Sequence, residues 1–571
     1  MIVGIDLGTS TSEIAYINSQ GQPEPIPIEG ESFIMPSVVY INKDGTPEVG
    51  TAAQEKLLPE PESTFQEVKR MFGQGKKLTA RGKEYTPAKI SSFILSHLVK
   101  RAEEYLGEKV DRAVITVPAY FNDKQRKETI EAGELAGLKV ERILNEPTAA
   151  ALEYGLANMM STKNVLVYDL GGGTLDVTVL ELFEGVVDVK SSCGNNALGG
   201  KDFDELIMKH LVKTYADKRK PIPITEPRVA NNLKLEAEIC KKALSEAETY
   251  KVLMPFLKDR HGKTISVDET ITRKDFEKLI GSLVSSTSEQ IKTALGDAGL
   301  EKKDIDLVLL VGGSTRIPLV KAFLKEELEF EPETFVDPDL AVVKGAAIEA
   351  GIISGVLNED IVLSDVCPYT LSTEVLESYG SMTYCDTLIP RNTTIPAKQT
   401  KTYQTAHDNQ VIVRISAYQG EGEFPAENYL LGAFELNGLP PGPRGSVDVD
   451  VTFEYDLNGV LKVYAKASNG IDNQMTVSVV GQDDKESPDV PDVIESKIND
   501  WKKAPGADKY KSIINRAEAR LSEASDEDDG EIITELRSAM EDLKLGILEQ
   551  WDNKELESLK AEVLDLISDL S

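Results

Sequence analysis

Val165-Leu-Val-Tyr-Asp-Leu-Gly-Gly-Gly-Thr-Leu-Asp-Val-Thr-Val-Leu180 reads as an apolar strand, a tight glycine turn and a second β-rich strand. The same design opens the chain, in Ile2-Val-Gly-Ile-Asp-Leu-Gly-Thr-Ser-Thr-Ser-Glu-Ile-Ala-Tyr-Ile17. Each copy ends its first strand on an aspartate, Asp6 or Asp169, and continues through Leu-Gly and a hydroxyl residue into another strand. One such hairpin alone is an ordinary β-turn. Two of one design imply related lobes facing each other across a cleft. Glycine turns carry no Cβ, so their backbone N–H groups can approach an anion closely. Two facing turns therefore suit the β- and γ-phosphates of a nucleotide. Asp6 and Asp169 would repel bare phosphate, which makes sense if a Mg²⁺ that keeps several waters lies between them.

A third glycine element, Leu307-Val-Leu-Leu-Val-Gly-Gly-Ser-Thr-Arg-Ile-Pro318, is an apolar strand running through Gly312-Gly313 towards a helix start. Small backbone and Ser314 there leave room for an adenosine, with Arg316 available to stack on the base. By itself the segment is equally a plain βα turn. The chain has neither G-x-G-x-x-G nor G-x-x-x-x-G-K-[ST], which argues against a dinucleotide fold and a Walker-type ATPase.

The 571 residues carry a net charge of −33 and only 6% aromatics. So acidic a chain is repelled by phosphate backbones and anionic bilayers, which excludes nucleic acid and membrane surfaces as expected partners. Four cysteines without a CxxC pair exclude a disulfide scaffold and a zinc ribbon, and the four histidines form no ligand set. No basic-then-apolar leader opens the sequence and no apolar run approaches 18 residues, so a cytoplasmic location is expected.

Texture divides the chain. Residues 1–355 alternate apolar strands with helical stretches, an α/β pattern. Residues 356–366 connect this section to the next, and their reading as an apolar interdomain linker comes from the resemblance given below. Residues 367–482 are period-two and turn-rich, as in Val411-Ile-Val-Arg-Ile-Ser-Ala-Tyr418 and Val447-Asp-Val-Asp-Val-Thr-Phe-Glu-Tyr455, which reads as an antiparallel sandwich. After a polar break, residues 489–571 place Ile532, Leu536, Met540, Leu543, Ile547, Leu556, Leu559, Val563 and Leu566 at helical spacing. Acidic residues outnumber basic ones about two to one there, as on the solvated face of a small bundle.

Ile5-Asp-Leu-Gly-Thr9, Val114-Ile-Thr-Val-Pro-Ala-Tyr-Phe-Asn-Asp123, Asn145-Glu-Pro-Thr-Ala-Ala-Ala151, Asp169-Leu-Gly-Gly-Gly-Thr-Leu-Asp176 and Val311-Gly-Gly-Ser-Thr-Arg-Ile-Pro318 together resemble the seventy-kilodalton heat-shock chaperones, of which DnaK is the bacterial form. The likeness runs through Asp337-Pro-Asp339, Arg391-Asn-Thr-Thr-Ile-Pro396, Ala406-His-Asp-Asn-Gln410 and Gln419-Gly-Glu421, covering residues 1 to about 481. The resemblance implies a multidomain chain: an actin-like two-lobed α/β ATPase domain, an antiparallel β-sandwich that binds peptide, and a small α-helical lid bundle. It implies ATP or ADP with Mg²⁺ as cofactors. Unfolded or extended polypeptide segments, a J-domain co-chaperone and a nucleotide-exchange factor are the implied partners. By the same resemblance Asp6 and Asp169 hold hydrated Mg²⁺, Lys69 orients the attacking water, Glu146 links the site to the domain interface, and Thr174 and Asp176 flank the γ-phosphate. Gly8, Thr9, Ser10, Thr11, Gly171, Gly172 and Gly173 cradle phosphates. Glu238, Lys241, Lys242, Ser245, Gly312, Gly313, Ser314, Arg316 and Asp339 fall at nucleotide-contact positions. From spacing alone, Glu238 and Lys242 are an i,i+4 helix pair and Lys69 a solvated lysine.

Pro118, Arg126 and Asp365 match the family's allosteric switch, and Arg142, Asn145 and Thr148 its J-domain docking surface. Leu376, Tyr403, Ala406, Val413, Ile415 and Val449 match peptide-contact positions, although such a stripe is by default sandwich core. The linker run from Asp360 to Val366 is expected to dock on the first domain in one nucleotide state and leave it in the other.

The sequence also departs from the family. Ser10 and Thr11 replace the usual phosphate-contact pair, Ser364 replaces a linker aliphatic, and Thr373 and Leu376 alter the peptide arch, whose loop from Glu377 is longer than usual. Few residues follow Asp489, and Ala504-Pro-Gly interrupts the place where a lid helix would begin, so faster peptide exchange is expected. The short lid and altered arch resemble specialised bacterial paralogues such as HscC. Three rival readings are a small-molecule kinase on the same scaffold, a nucleotide-sensing regulator without hydrolysis and, more remotely, a cytoskeletal polymer former. The kinase has no use for a sandwich and linker. The presence of Lys69, Glu146 and Thr174 together argues against the sensor.

Overall fold

The structure is a computed structural model that describes residues 1–476 apart from 158–161, 219–221, 259–263, 331, 333–336, 358–361 and 377–382, together with scattered helical residues between 509 and 566. Asp360, most of the longer arch loop, the 482–491 break, Ala504-Pro-Gly and Ile532 lie outside the described residues. The chain forms two compact units, Met1–Val479 and Val480–Ser571.

In the first unit the repeated hairpins become a repeated topology. Ile2–Leu7 and Thr11–Ile17 pair antiparallel, and Ile2–Leu7 is flanked by a parallel neighbour, Arg112–Val117, which pairs in turn with Lys139–Asn145. Lys163–Leu170 and Leu175–Phe183 pair antiparallel, and Lys163–Leu170 has its own parallel neighbour, Leu307–Val311. Both parallel neighbours are almost wholly apolar and buried, as strands covered on both faces must be. A separate core fills each lobe, and a third lies between them.

Two helices made largely of small residues join the lobes, Glu146–Ala157 and Ala341–Ser354. They cross so closely that a Cβ on Gly345 would lie 1.8 Å from the Ala149 carbonyl oxygen, and the strand Ile2–Leu7 approaches the second of them so closely that a Cβ on Gly4 would lie 2.2 Å from the Ala347 nitrogen. The crossing sets the depth at which Glu146, the first residue of its helix, enters the space between the lobes.

Val362–Val366 then adds to the second sheet, parallel to Val186–Asn195, and Thr394–Ile395 pairs with its far end. The sandwich follows. One sheet orders Thr383–Ile389, Leu371–Leu376, Ile412–Gln419 and Tyr429–Asn437; the other orders Ala397–Gln404, Asp448–Tyr455, Leu461–Ala467 and Asp472–Thr476. Period-two patterning works as expected: Val449, Val451, Phe453 and Tyr455 point into the shared core and the residues between them outward.

In the second unit Tyr510, Ile514, Ala517, Leu536, Ala539, Met540, Leu543, Ile547, Leu556 and Val563 bury together, with Leu559 and Leu566 partly buried against them. Among the described residues, no helix is long and apolar enough to cross a membrane.

Gly345→Ala must push the two crossing helices apart and is expected to cost about 3 kcal/mol. Denaturant unfolding checks this, and a loss under about 1 kcal/mol would mean that the crossing yields easily.

Candidate functional site

The hairpin registers set up the site. Directly opposed residues share a face of a sheet, and Asp6 stands opposite Glu13 just as Asp169 stands opposite Asp176. Each hairpin therefore brings a pair of carboxylates to the same side. The turns meet as well. A Cβ on Gly172 would lie 2.3 Å from Ser10 Oγ and one on Gly173 3.1 Å from Thr9, so a side chain at either position would have to displace those of the facing turn.

Between the turns lies a cleft of about 590 Å³, its mouth included. It is lined by Asp6, Gly8, Thr9, Ser10, Thr11, Glu13, Lys69, Pro118, Glu146, Asp169, Gly171, Gly172, Thr174, Gly312, Gly313 and Asp339, with Val311, Pro338 and Val342. Sequence reasoning singled out most of these residues but missed Glu13. The signal was available: an acid follows the strand-end aspartate at the same spacing in both hairpins, as Glu13 after Asp6 and as Asp176 after Asp169.

Charge in the cleft is out of balance. Lys69 is only 4% exposed, and its Nζ donates to Glu146 Oε1 at 2.6 Å. The solvated lysine that spacing suggested is thus a buried ion pair. Thr116 Oγ1 donates to Asp6 Oδ1 at 2.7 Å, and Tyr120 N–H to Asp176 Oδ1 at 3.0 Å, while Asp176 Oδ2 is buried without a hydrogen-bond partner among the described residues. Burial raises the Asp6, Glu13 and Glu146 carboxyls above their ordinary range. Burial and the neighbouring Glu146 charge push Asp169 well up and Asp176 to about 7. Crowded, desolvated carboxylates with one ammonium among them suit a hard divalent cation, and the amides of the glycine turns suit the phosphates that such a cation accompanies. The residues present therefore fit Mg²⁺ and a nucleotide, with Asp6 and Asp169 each two residues before the first glycine of its turn.

The third glycine element adjoins this cleft. Gly312 has φ +80°, and a Cβ there would meet the Leu170 carbonyl at 2.5 Å. Residues Gly313–Arg316 form a 3-10 turn before the helix Pro318–Leu328. Ser314 Oγ donates to Gly171 O at 2.9 Å, tying the element to the second hairpin. Arg316 is held by Asp337 and Asp339, which fixes the plane of its guanidinium. Glu238, Lys241, Lys242 and Ser245 lie on the helix Pro227–Glu246, outside the cleft lining. The i,i+4 pair forms, Lys242 to Glu238 at 2.9 Å. Burial would raise Glu238, but Lys201 and Lys242 outweigh it and hold its carboxyl at about 2. Lys241 Nζ donates to Asp204 and to Gly200 O, and Ser245 Oγ donates to Lys241 O. A Cβ on Gly200 would touch both Ser314 Oγ and Lys241 Nζ, so this helix abuts the third element there.

At the domain joint, Arg126 donates to Ala119 O, Phe121 O and Asn145 Oδ1, strapping the turn after Pro118. Gly459 of the sandwich sits against the Arg126 side chain, and Leu461 N–H donates to Asp123 Oδ1. Asn145 Nδ2 and Thr148 Oγ1 both donate to Asp365 Oδ2, at 2.9 and 3.1 Å. Asn145 and Thr148 are consequently buried on the linker here, while Arg142 pairs with buried Glu349. In the sandwich, Val413, Ile415, Tyr403 and Val449 line or pack on the core, and Tyr403 stands opposite Val449. Tyr403 OH donates to Asp386, and Ala406 N–H to Gln410. Leu376 closes its strand, and Thr373 is buried with its hydroxyl on Ser416 O.

Duplicated lobes around an acidic, glycine-lined cleft, joined by a strand to a β-sandwich, are the architecture of the ATP-binding chaperones. The chain matches the model of the Hsp70 protein family over residues 2–570, essentially its whole length, and belongs to that family. It is therefore a chaperone of a family whose members are ATPases.

Lys69→Ala leaves a buried carboxylate unpaired and is expected to destabilise the nucleotide-free chain by about 3 kcal/mol. Lys69→Met with Glu146→Leu should recover most of that loss in denaturant unfolding. A single variant as stable as the parent would mean that Glu146 already carries a proton.

Proposed function

We propose that the chain binds extended apolar polypeptide in its sandwich, hydrolyses ATP in the cleft, and uses hydrolysis to switch peptide affinity. The observation that carries this reading is the linker strand. It extends the sheet whose central hairpin bears Asp169 and Asp176, and its Asp365 is held from Asn145, the residue next to Glu146. A change at the cleft thus acts on the strand that tethers the sandwich.

In this reading the turn amides and Thr174 hold phosphate, and Asp6 and Asp169 take the ion through its waters. Lys69 orients the attacking water. Glu238, Lys241, Lys242, Ser245, Gly312, Gly313, Ser314, Arg316 and Asp339 serve the nucleoside end. The ion, when bound, offsets charge on the transferring phosphoryl group, and positioning and electrostatics supply most of the acceleration. Main-chain hydrogen bonds would hold a strand-like peptide, with Leu376, Tyr403, Ala406, Val413, Ile415 and Val449 reading a side chain. A J-domain partner reading Arg142, Asn145 and Thr148 would have to engage them after the linker has left, since Asn145 and Thr148 are buried on Asp365 here.

The energies suffice. Each tenfold affinity difference between states needs about 1.4 kcal/mol, and two hydrogen bonds to a charged carboxylate supply about 1.5–3 kcal/mol each.

Steady-state ATP hydrolysis should be slow, accelerated several-fold by an extended apolar peptide, and lowered about 100-fold by Lys69→Ala. Hydrolysis indifferent to peptide would break the coupling; ATP binding without hydrolysis would make the chain a sensor. Asp365→Asn should cut the ATP-driven acceleration of peptide release about tenfold, because its Oδ2 loses the charge that both donors address. Parental release kinetics in that variant would remove Asp365 from the switch.

A further inference from the structure

We propose that Tyr369 is a positioning residue for the reaction in the cleft, acting through the backbone of Tyr120. Tyr120 lies in the turn Pro118–Phe121. Three of the four carbonyls in that turn are bound, among the described residues, from within the ATPase lobes alone: Pro118 O by Phe121 N–H, and Ala119 O and Phe121 O by Arg126. The Tyr120 carbonyl accepts from Asn196 Nδ2 of the lobe and also from Tyr369 OH, both at 2.7 Å. The two tyrosine rings stack with centroids 4.2 Å apart and planes at 39°.

Tyr369 is anchored in the sandwich. Its neighbour Thr370 donates from both N–H and Oγ1 to Glu421, and accepts at Oγ1 from Arg391 N–H. Cys367 exchanges backbone hydrogen bonds with Asn392 and Thr393. On its other side Tyr120 gives its N–H to Asp176 Oδ1, and Asp176 Oδ2 has no hydrogen-bond partner among the described residues. The orientation of that carboxylate therefore leans on Tyr120, and Tyr120 leans in part on a phenol that belongs to the sandwich. When the sandwich leaves, Tyr120 loses one of two carbonyl donors and its stacking partner together. Only a tyrosine at this position offers both the ring and the hydroxyl.

This rests on the reading of the chain as a peptide-coupled ATPase, so the test has two arms on the full-length protein. Tyr369→Phe keeps the ring and removes the hydroxyl, and Tyr369→Leu removes both. In the kinetic arm, Tyr369→Phe should lower the ratio of peptide-stimulated to basal ATP hydrolysis about fivefold, with KM for ATP within about twofold of wild type. Tyr369→Leu should lower the ratio further. In the exchange arm, without nucleotide, hydrogen exchange at the Tyr120 amide should quicken about fivefold in Tyr369→Phe, while amides of Lys163–Leu170 keep their rates. Unchanged Tyr120 exchange overturns the proposal, as does an unchanged ratio when the wild type responds to peptide. A wild type that hydrolyses without responding to peptide defeats the underlying reading instead, and the exchange arm then decides on Tyr369 alone.

Discussion

Three backbone pairings, Val186 with Val362, Val187 with Leu363 and Asp188 with Ser364, carry the chain from the two lobes into the sandwich by strand addition. Strand addition is indifferent to side chains, so Ser364 does not keep the linker from seating; what it forgoes is apolar burial. Specificity comes from the next two residues. Asp365 accepts from Asn145 and Thr148, and Val366 packs into the core between the lobes. A one-residue slip would exchange these two and bury a carboxylate among aliphatic side chains. The joint is thus pinned in register by one charge and one apolar group.

The same economy governs the cleft. Two hairpins of one design deliver two cross-strand acid pairs, and the glycine turns let them close on each other. Like charges placed directly opposite weaken a sheet, and burial makes them costlier still. Lys69 pairs at close range with a fifth carboxylate, Glu146, and with none of these four. The carboxylates left unanswered are an arrangement that suits a divalent cation. Helix Glu146–Ala157 sits where the two systems meet: its first residue pairs with Lys69 in the cleft, and Thr148 two residues on holds the linker.

Much of this was legible in the residue order. The paired hairpins, the sandwich with its alternating strands and the apolar rows of the tail all rest on contacts between residues near in sequence, and such contacts leave a periodic trace. Glu13 was legible too, through its spacing from Asp6, but finding it required the hairpin register as well as the motif. Lys69 was not legible from spacing, since Val68-Lys-Arg-Met reads like any exposed basic stretch.

By itself the sequence determined the elements and the order in which they follow, because strand alternation, glycine turns and helical periodicity are local properties of the chain. Tertiary structure alone decided which side chains meet. Lys69 finds Glu146 from 77 residues away, Asp365 finds Asn145 across 220, and Tyr369 reaches the Tyr120 carbonyl across 249. No local pattern records a contact at that range, because its geometry is set by how whole sheets and helices pack. The cleft exists only once the two lobes have packed together, and the joint only once the lobes and the sandwich are in contact.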